Sequence, residues 1–204
     1  TGAVRRVNLE GSPLSTITNV NALSALQGTP GVNVGAVATA GGSPSILVRG
    51  QRSLSASNAP LVILDGVIFS GNLNEINTQD IASFDVLMDA SAAAIYGSRA
   101  ANGVIIVTTK KGSASKTGIE VNSQILTSSI SKTVDVMSSS EFLAAGGFDL
   151  QNSTNWIDEV TRTGITYVNN FAVSGGVDNT NYRISANIRN VDGILKNSGF
   201  DQLN

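Results

Sequence analysis

The chain has 204 residues, 41% of them hydrophobic and 14% charged, so it can bury a core and fits one or two folded domains. Thirteen basic against fifteen acidic residues give a net charge of −2, which offers no broad positive field to nucleic acid. With neither cysteine nor histidine, disulfides, thiolate metal sites, Ser-His-Asp triads and the usual zinc centres are excluded.

No apolar run approaches the roughly 20 residues of a membrane-spanning helix, the longest being Leu61 to Leu64 and Val104 to Val107. A barrel strand needs only about 10 alternating residues and stays open as a possibility. Thr1 follows no charged and apolar leader, so the expectation is a mature or excised piece. Asn19 to Gln27 reads as a short helix, with Val20, Leu23 and Leu26 on one face and Gly28 as its stop. Strands are expected at Val32 to Val34, Ile46 to Val48 and Leu61 to Leu64. Asp65-Gly66 then marks a tight turn into Val67 to Phe69, a hairpin. A further strand is expected at Ser83 to Leu87. In DASAAAIYGSRAANGVIIVTTKKG, Asp89 or Ser91 caps a small-residue helix and Gly97 ends it in a left-handed conformation. Ser98 to Gly103 form a turn, and the β-branched Val104 to Thr109 suit a strand buried on both faces.

All four prolines, Pro13, Pro30, Pro44 and Pro60, lie in this first part, which reads as α+β with a small mixed sheet and short helices. The small, polar stretch Gly112 to Gly118 marks a boundary, giving domains 1–114 and 115–204. Beyond it, Tyr182, Ile184, Ala186 and Ile188 alternate with Arg183, Ser185, Asn187 and Arg189. Phe171 and Val173 repeat the pattern on a preceding strand, and residues 175–181 supply the turn. Alternation alone fits either a barrel wall or a soluble sandwich with one wet face.

Candidate chemistry is sparse. Asp65 and Asp89 suggest a carboxylate pair, but the turn and cap positions give each a local backbone partner. Gly97 and Gly103 lack phosphate-loop spacing, and Asp178 and Asp192 lack a calcium loop. No catalytic residue, cofactor or metal is expected, and the chain does not read as an enzyme. Trp156 suits an interfacial girdle or simple packing, with Asp158 and Glu159 on a solvated rim.

Three ordered motifs, ILVRG at Ile46 to Gly50, SLSASNAPLVILDGV at Ser53 to Val67 and NTQDIASFDVLMDASAAAIYGSRAANG at Asn77 to Gly103, closely resemble the plug domain of SusC/RagA-type TonB-dependent transporters. TGAVRRV at the start and LSALQGTPGVNV at Leu23 to Val34 resemble the beginning of that plug. NSTNWIDEV, FAVSGGVDNTNYRIS and DGILKNSGF resemble its first barrel strands. The resemblance implies an α+β plug followed by antiparallel strands of an incomplete outer-membrane β-barrel. It implies a gate for oligosaccharide or peptide import, located in the outer membrane with the plug in the lumen facing the periplasm. Implied partners are TonB, reached through a segment upstream of this chain, a SusD-like surface lipoprotein, the imported substrate and outer-membrane lipid, with no nucleic acid. Gly50, Asp65, Gly66, Gly97 and Gly103 stand at the signature turns.

On the same resemblance, Arg49 and Arg99 are candidates to lock plug to barrel, or else satisfy carbonyls inside the plug. Arg52 and Asn58 are candidates for a substrate-facing loop, Tyr182 and Ile184 face lipid, and Arg183 and Arg189 face the lumen. Met88 departs from the lysine frequent in the family, a change expected to stay at the surface. A TonB box of the acidic-then-valine type is expected upstream of this chain, outside it, and three or four barrel strands are expected. Residues 115–204 alone are expected to be poorly ordered or to pair between chains through open edges. The alternative reading is a soluble periplasmic or surface binding module, in which Tyr182, Ile184 and Ile188 pack against another sheet.

Overall fold

A computed structural model describes residues 4–9, 22–37, 41–51, 53–54, 57–88, 95–112, 117–148, 154–177 and 180–204. The expectations for Val20, Arg52, Asp89, Ser91 and Asp178 lie outside these residues. Strands β1 (Val4–Asn8), β4 (Leu61–Leu64), β5 (Val67–Phe69), β6 (Ile81–Leu87) and β7 (Val104–Thr109) form one sheet in the order β1-β6-β7-β4-β5. Only the β4–β7 pairing is parallel, so the sheet is mixed. A separate ribbon joins β2 (Val32–Val34) to β3 (Ile46–Val48).

β7 is central, and its β-branched run is buried on both sides. Ile105 and Val107 join Phe84, Val86 and Ile81 of β6 in a core closed by Leu23, Leu26, Ile46 and Val48. Val104 packs the other way with Ile63, Leu87 and Ala100. Each such side chain, taken fully from water, contributes about 1.5–3 kcal/mol to the fold. The expected helix near residues 19–27 is a 3-10 helix, Ala22–Leu26, which still buries Leu23 and Leu26. β6 begins two residues before the expected Ser83, at Ile81, because Ile81 is itself a fully buried core residue. Residues expected as a turn after Gly97 form a 3-10 helix, Gly97–Asn102, which buries Ala100 beneath β7. Met88 was expected to leave the core untouched; instead it packs against it.

The chain leaves this sheet after Thr109 and enters a second, antiparallel sheet at Gly118. Its strands are β8 (Gly118–Ser128), β9 (Gly164–Val177), β10 (Thr180–Asp192) and β11 (Gly199–Leu203), in the order β11-β10-β9-β8. The expected turn at 175–181 is shorter, since Val177 already pairs with Thr180 and Gly175 with Tyr182. Its glycines belong to the strand: a Cβ on Gly175 would lie 2.7 Å from the Tyr182 hydroxyl. Among its described residues, 154–160, NSTNWIDEV does not supply a strand. Trp156–Val160 is a helix (α2) because the Asn155 side chain accepts from Ile157 N and bonds Asp158, capping the first turn. A preceding helix, α1 (Ser139–Ala144), starts on a capping box between Ser138 and Glu141.

Candidate plug–barrel interface

Alternation sorts the side chains of the second sheet onto two faces. Tyr182, Ile184 and Ile188 of β10, Phe171 of β9 and Ile119, Val121 and Ile125 of β8 are exposed on one, Ile184 to 70%. They do not pack against another sheet among the described residues, which removes the packing that a soluble sandwich requires. The opposite face carries rows of aligned residues: Glu120, Ala172 and Ser185; then Asn122, Asn170 and Asn187; then Gln124, Val168, Arg189 and Gln202. Asn187 and Arg189 are buried there, and Arg189 lies over the Phe200 ring and bonds Gln202.

The plug meets this polar face through residues 75–80, just ahead of β6. Asn77 caps the 3-10 turn Thr78–Asp80 by accepting from Gln79 N, and its amide donates both to Asp80 and, at 3.0 Å, to Asn170 Oδ1. Asn187 donates to the same Asn170 oxygen at 2.6 Å, so one asparagine row of the wall continues into the plug. Asn204 donates to the Glu75 carbonyl at 2.9 Å. Asp80 receives most. Arg183 Nη2 reaches its Oδ1 at 3.2 Å, and Ser185 Oγ donates to its Oδ2 at 2.7 Å. A cavity of about 390 Å³ opens beside these groups, lined by Asn77, Asp80, Glu120, Asn170, Arg183 and Ser185. Nearby, the chain leaving β7 runs so close to the wall that a Cβ on Gly112 would collide with the Tyr182 carbonyl oxygen.

Arg49 stands at φ 63° and donates from Nη1 to the Met88 carbonyl at 2.9 Å, a bond internal to the plug. Arg99 is exposed on the helix Gly97–Asn102. Gly50, Asp65, Gly66, Gly97 and Gly103 all adopt positive φ. Asp65 turns the β4–β5 hairpin and accepts from both the backbone N–H and the hydroxyl of Thr109, so its carboxylate is spent on structure. Asn58 bonds both the N–H and the carbonyl of Ser53, and Leu54 beside it is exposed. Asp192 pairs with Arg162 at 3.0 Å. The sequence reading singled out neither Asn77 nor Asp80. Their partners lie 93 and 103 residues away, and the only local signal was that Asn77 precedes a capped turn.

A small plug sheet docked on the polar face of a two-sided β-wall defines the plug and first barrel strands of a TonB-dependent receptor, and residues 9–104 match the family model for the TonB-dependent receptor plug domain. The chain is 37% identical to TonB-dependent receptor P3 of Formosa agariphila, over 98% of this chain and 21% of that protein. It is 38% identical to TonB-dependent receptor SusC of Bacteroides thetaiotaomicron, over 79% of this chain and 18% of that one. Among solved structures, the RagAB peptide transporter superposes with a TM-score of 0.84 at 27% identity, covering all of this chain and 28% of that one. The chain belongs to the SusC/RagA-type TonB-dependent transporters, and it spans about a fifth of the length of the curated relatives it matches.

Proposed function

We propose that this chain is the gating plug and barrel start of an outer-membrane nutrient importer, occluding the lumen until TonB draws on the plug from the periplasm. The observation that carries the reading is the two-sidedness of β8–β11: an exposed apolar face suited to lipid, and a polar face hydrogen-bonded to the plug. Polar contacts suit a plug that must be held and yet released, since water can replace each bond as it breaks. Strand connections support an orientation with the β9–β10 turn toward the periplasm. Residues 178–179 join β9 to β10, whereas residues 129–163 join β8 to β9, and barrels of this kind keep short turns in the periplasm and long loops outside.

The cargo is an oligosaccharide or a peptide, and a SusD-like lipoprotein covers the outer mouth. Loop 51–59, with Arg52 and Asn58, faces that cargo. Arg99, exposed on the plug, is the candidate for a contact to barrel strands other than these four, with Arg49 supporting the adjoining plug backbone. The test is membrane fractionation of the full-length parent, followed by affinity capture of associated lipoproteins. The expected result is a heat-modifiable outer-membrane barrel that co-purifies with a lipoprotein. Recovery in the soluble periplasmic fraction would overturn the reading.

A further inference from the structure

Arg183 stands between two carboxylates that belong to different bodies. Its Nη2 lies 3.2 Å from Asp80 Oδ1 on the plug and 3.0 Å from Glu120 Oε2 on β8, a strand of the wall. The arginine side chain is only 10% exposed, against 21% for Asp80 and 59% for Glu120. A guanidinium buried to that degree is strongly destabilised if it loses its counter-charge. With Asp80 as sole partner, moving the plug would leave the cation with only water in place of its carboxylate. With Glu120 on the same wall, the charge stays paired after the plug has gone. On the plug side Asp80 is held by Asn77 on its second oxygen and by Lys110 N on its backbone carbonyl, so it moves with the plug, and the bond it accepts from Ser185 of β10 breaks together with the Arg183 pair.

We infer that Arg183 is a two-position latch, shared by Asp80 and Glu120 when the plug is seated and held by Glu120 alone when the plug is displaced. The inference rests on the gating function proposed above. Asp80 opposes release and Glu120 assists it, so the two carboxylates, both bonded to one arginine, have opposite effects on the same step. If Glu120 only braced the wall, its removal would leave plug release unchanged, because the Arg183–Glu120 pair lies within one sheet.

The test uses the purified full-length parent in planar lipid bilayers, with conductance recorded as urea is raised and the plug is loosened from the lumen. Heat-modifiable migration on gels checks that each variant retains its barrel. Asp80→Asn is expected to lower the urea concentration at which conductance rises by about 0.5 M, and Glu120→Gln to raise it by a similar amount. Arg183→Gln, which removes the latch and leaves both carboxylates, is expected to lower it. A downward shift for both carboxylate variants, or no shift for either, overturns the latch while leaving the importer reading intact. A wild-type parent that forms no channel overturns both.

Discussion

At the scale of single residues, the plug depends on a few backbone positions that only certain side chains tolerate. Gly103 is the clearest. It sits at φ 92°, between the helix that ends at Asn102 and the strand that starts at Val104, and a Cβ there would lie 2.8 Å from Val48 Cγ1. An alanine meets two penalties at once, a left-handed conformation and a clash with a buried side chain of the core. Gly103→Ala is therefore expected to destabilise the plug by about 1–3 kcal/mol, read as faster proteolysis of the plug within an intact barrel. Arg49 makes the opposite point. It adopts φ 63° without being glycine, and its backbone N–H bonds Gly31 while its guanidinium bonds Met88, so hydrogen bonds hold a conformation that sterics disfavour. ILVRG thus carries a structural demand at its arginine, independent of any contact to the barrel.

At the scale of elements, local chemistry decides the helices and the strand faces. Helix α1 is held at its start by Glu141, whose carboxyl lies below the ordinary glutamate value because the Ser138 backbone N–H and then its hydroxyl bond the charged form. A depressed carboxylate stabilises the helix at pH above the ordinary glutamate value and loses that contribution as pH falls through the lower, folded value. Amide exchange of residues 139–144, corrected for the intrinsic rate, is expected to accelerate in that acidic window, and Glu141→Gln should flatten the dependence. The same capping logic explains α2, where Asn155 overrides the barrel-strand assignment. The inward and outward faces of β10 were legible from alternation alone, since a strand sends successive side chains to opposite sides. β8 was harder to see. Its outward row includes Ser123 and Thr127 among isoleucine and valine, and its inward row includes Leu126, so the two faces differ less in hydropathy.

At the scale of the whole molecule, two sheets of different character meet along one short polar seam. The five-stranded sheet buries its central strand on both sides, whereas the four-stranded sheet depends on the plug for one face and leaves the other apolar and open. Among the described residues, β8 and β11 each end the second sheet with an unpaired edge. This 204-residue chain, prepared alone in detergent-free buffer, is therefore expected to self-associate through those edges and the exposed apolar face, giving a light-scattering mass well above the monomer. A monodisperse monomer would contradict the expectation.

The sequence by itself determined the positions of most plug strands, the Asp65-Gly66 hairpin, the left-handed Gly97 and the division of β10 into apolar and polar faces. Those features follow from neighbours along the chain: β-branched runs, period-two alternation and residues that accept positive φ. Tertiary structure alone decided which polar residues touch. Asp80 finds Arg183 across 103 residues and Arg183 finds Glu120 across 63, pairings set by strand register and by how the plug seats on the wall. A one-residue slip of β10 would turn Arg183 toward lipid and undo the seam, because strand register assigns every side chain to its face.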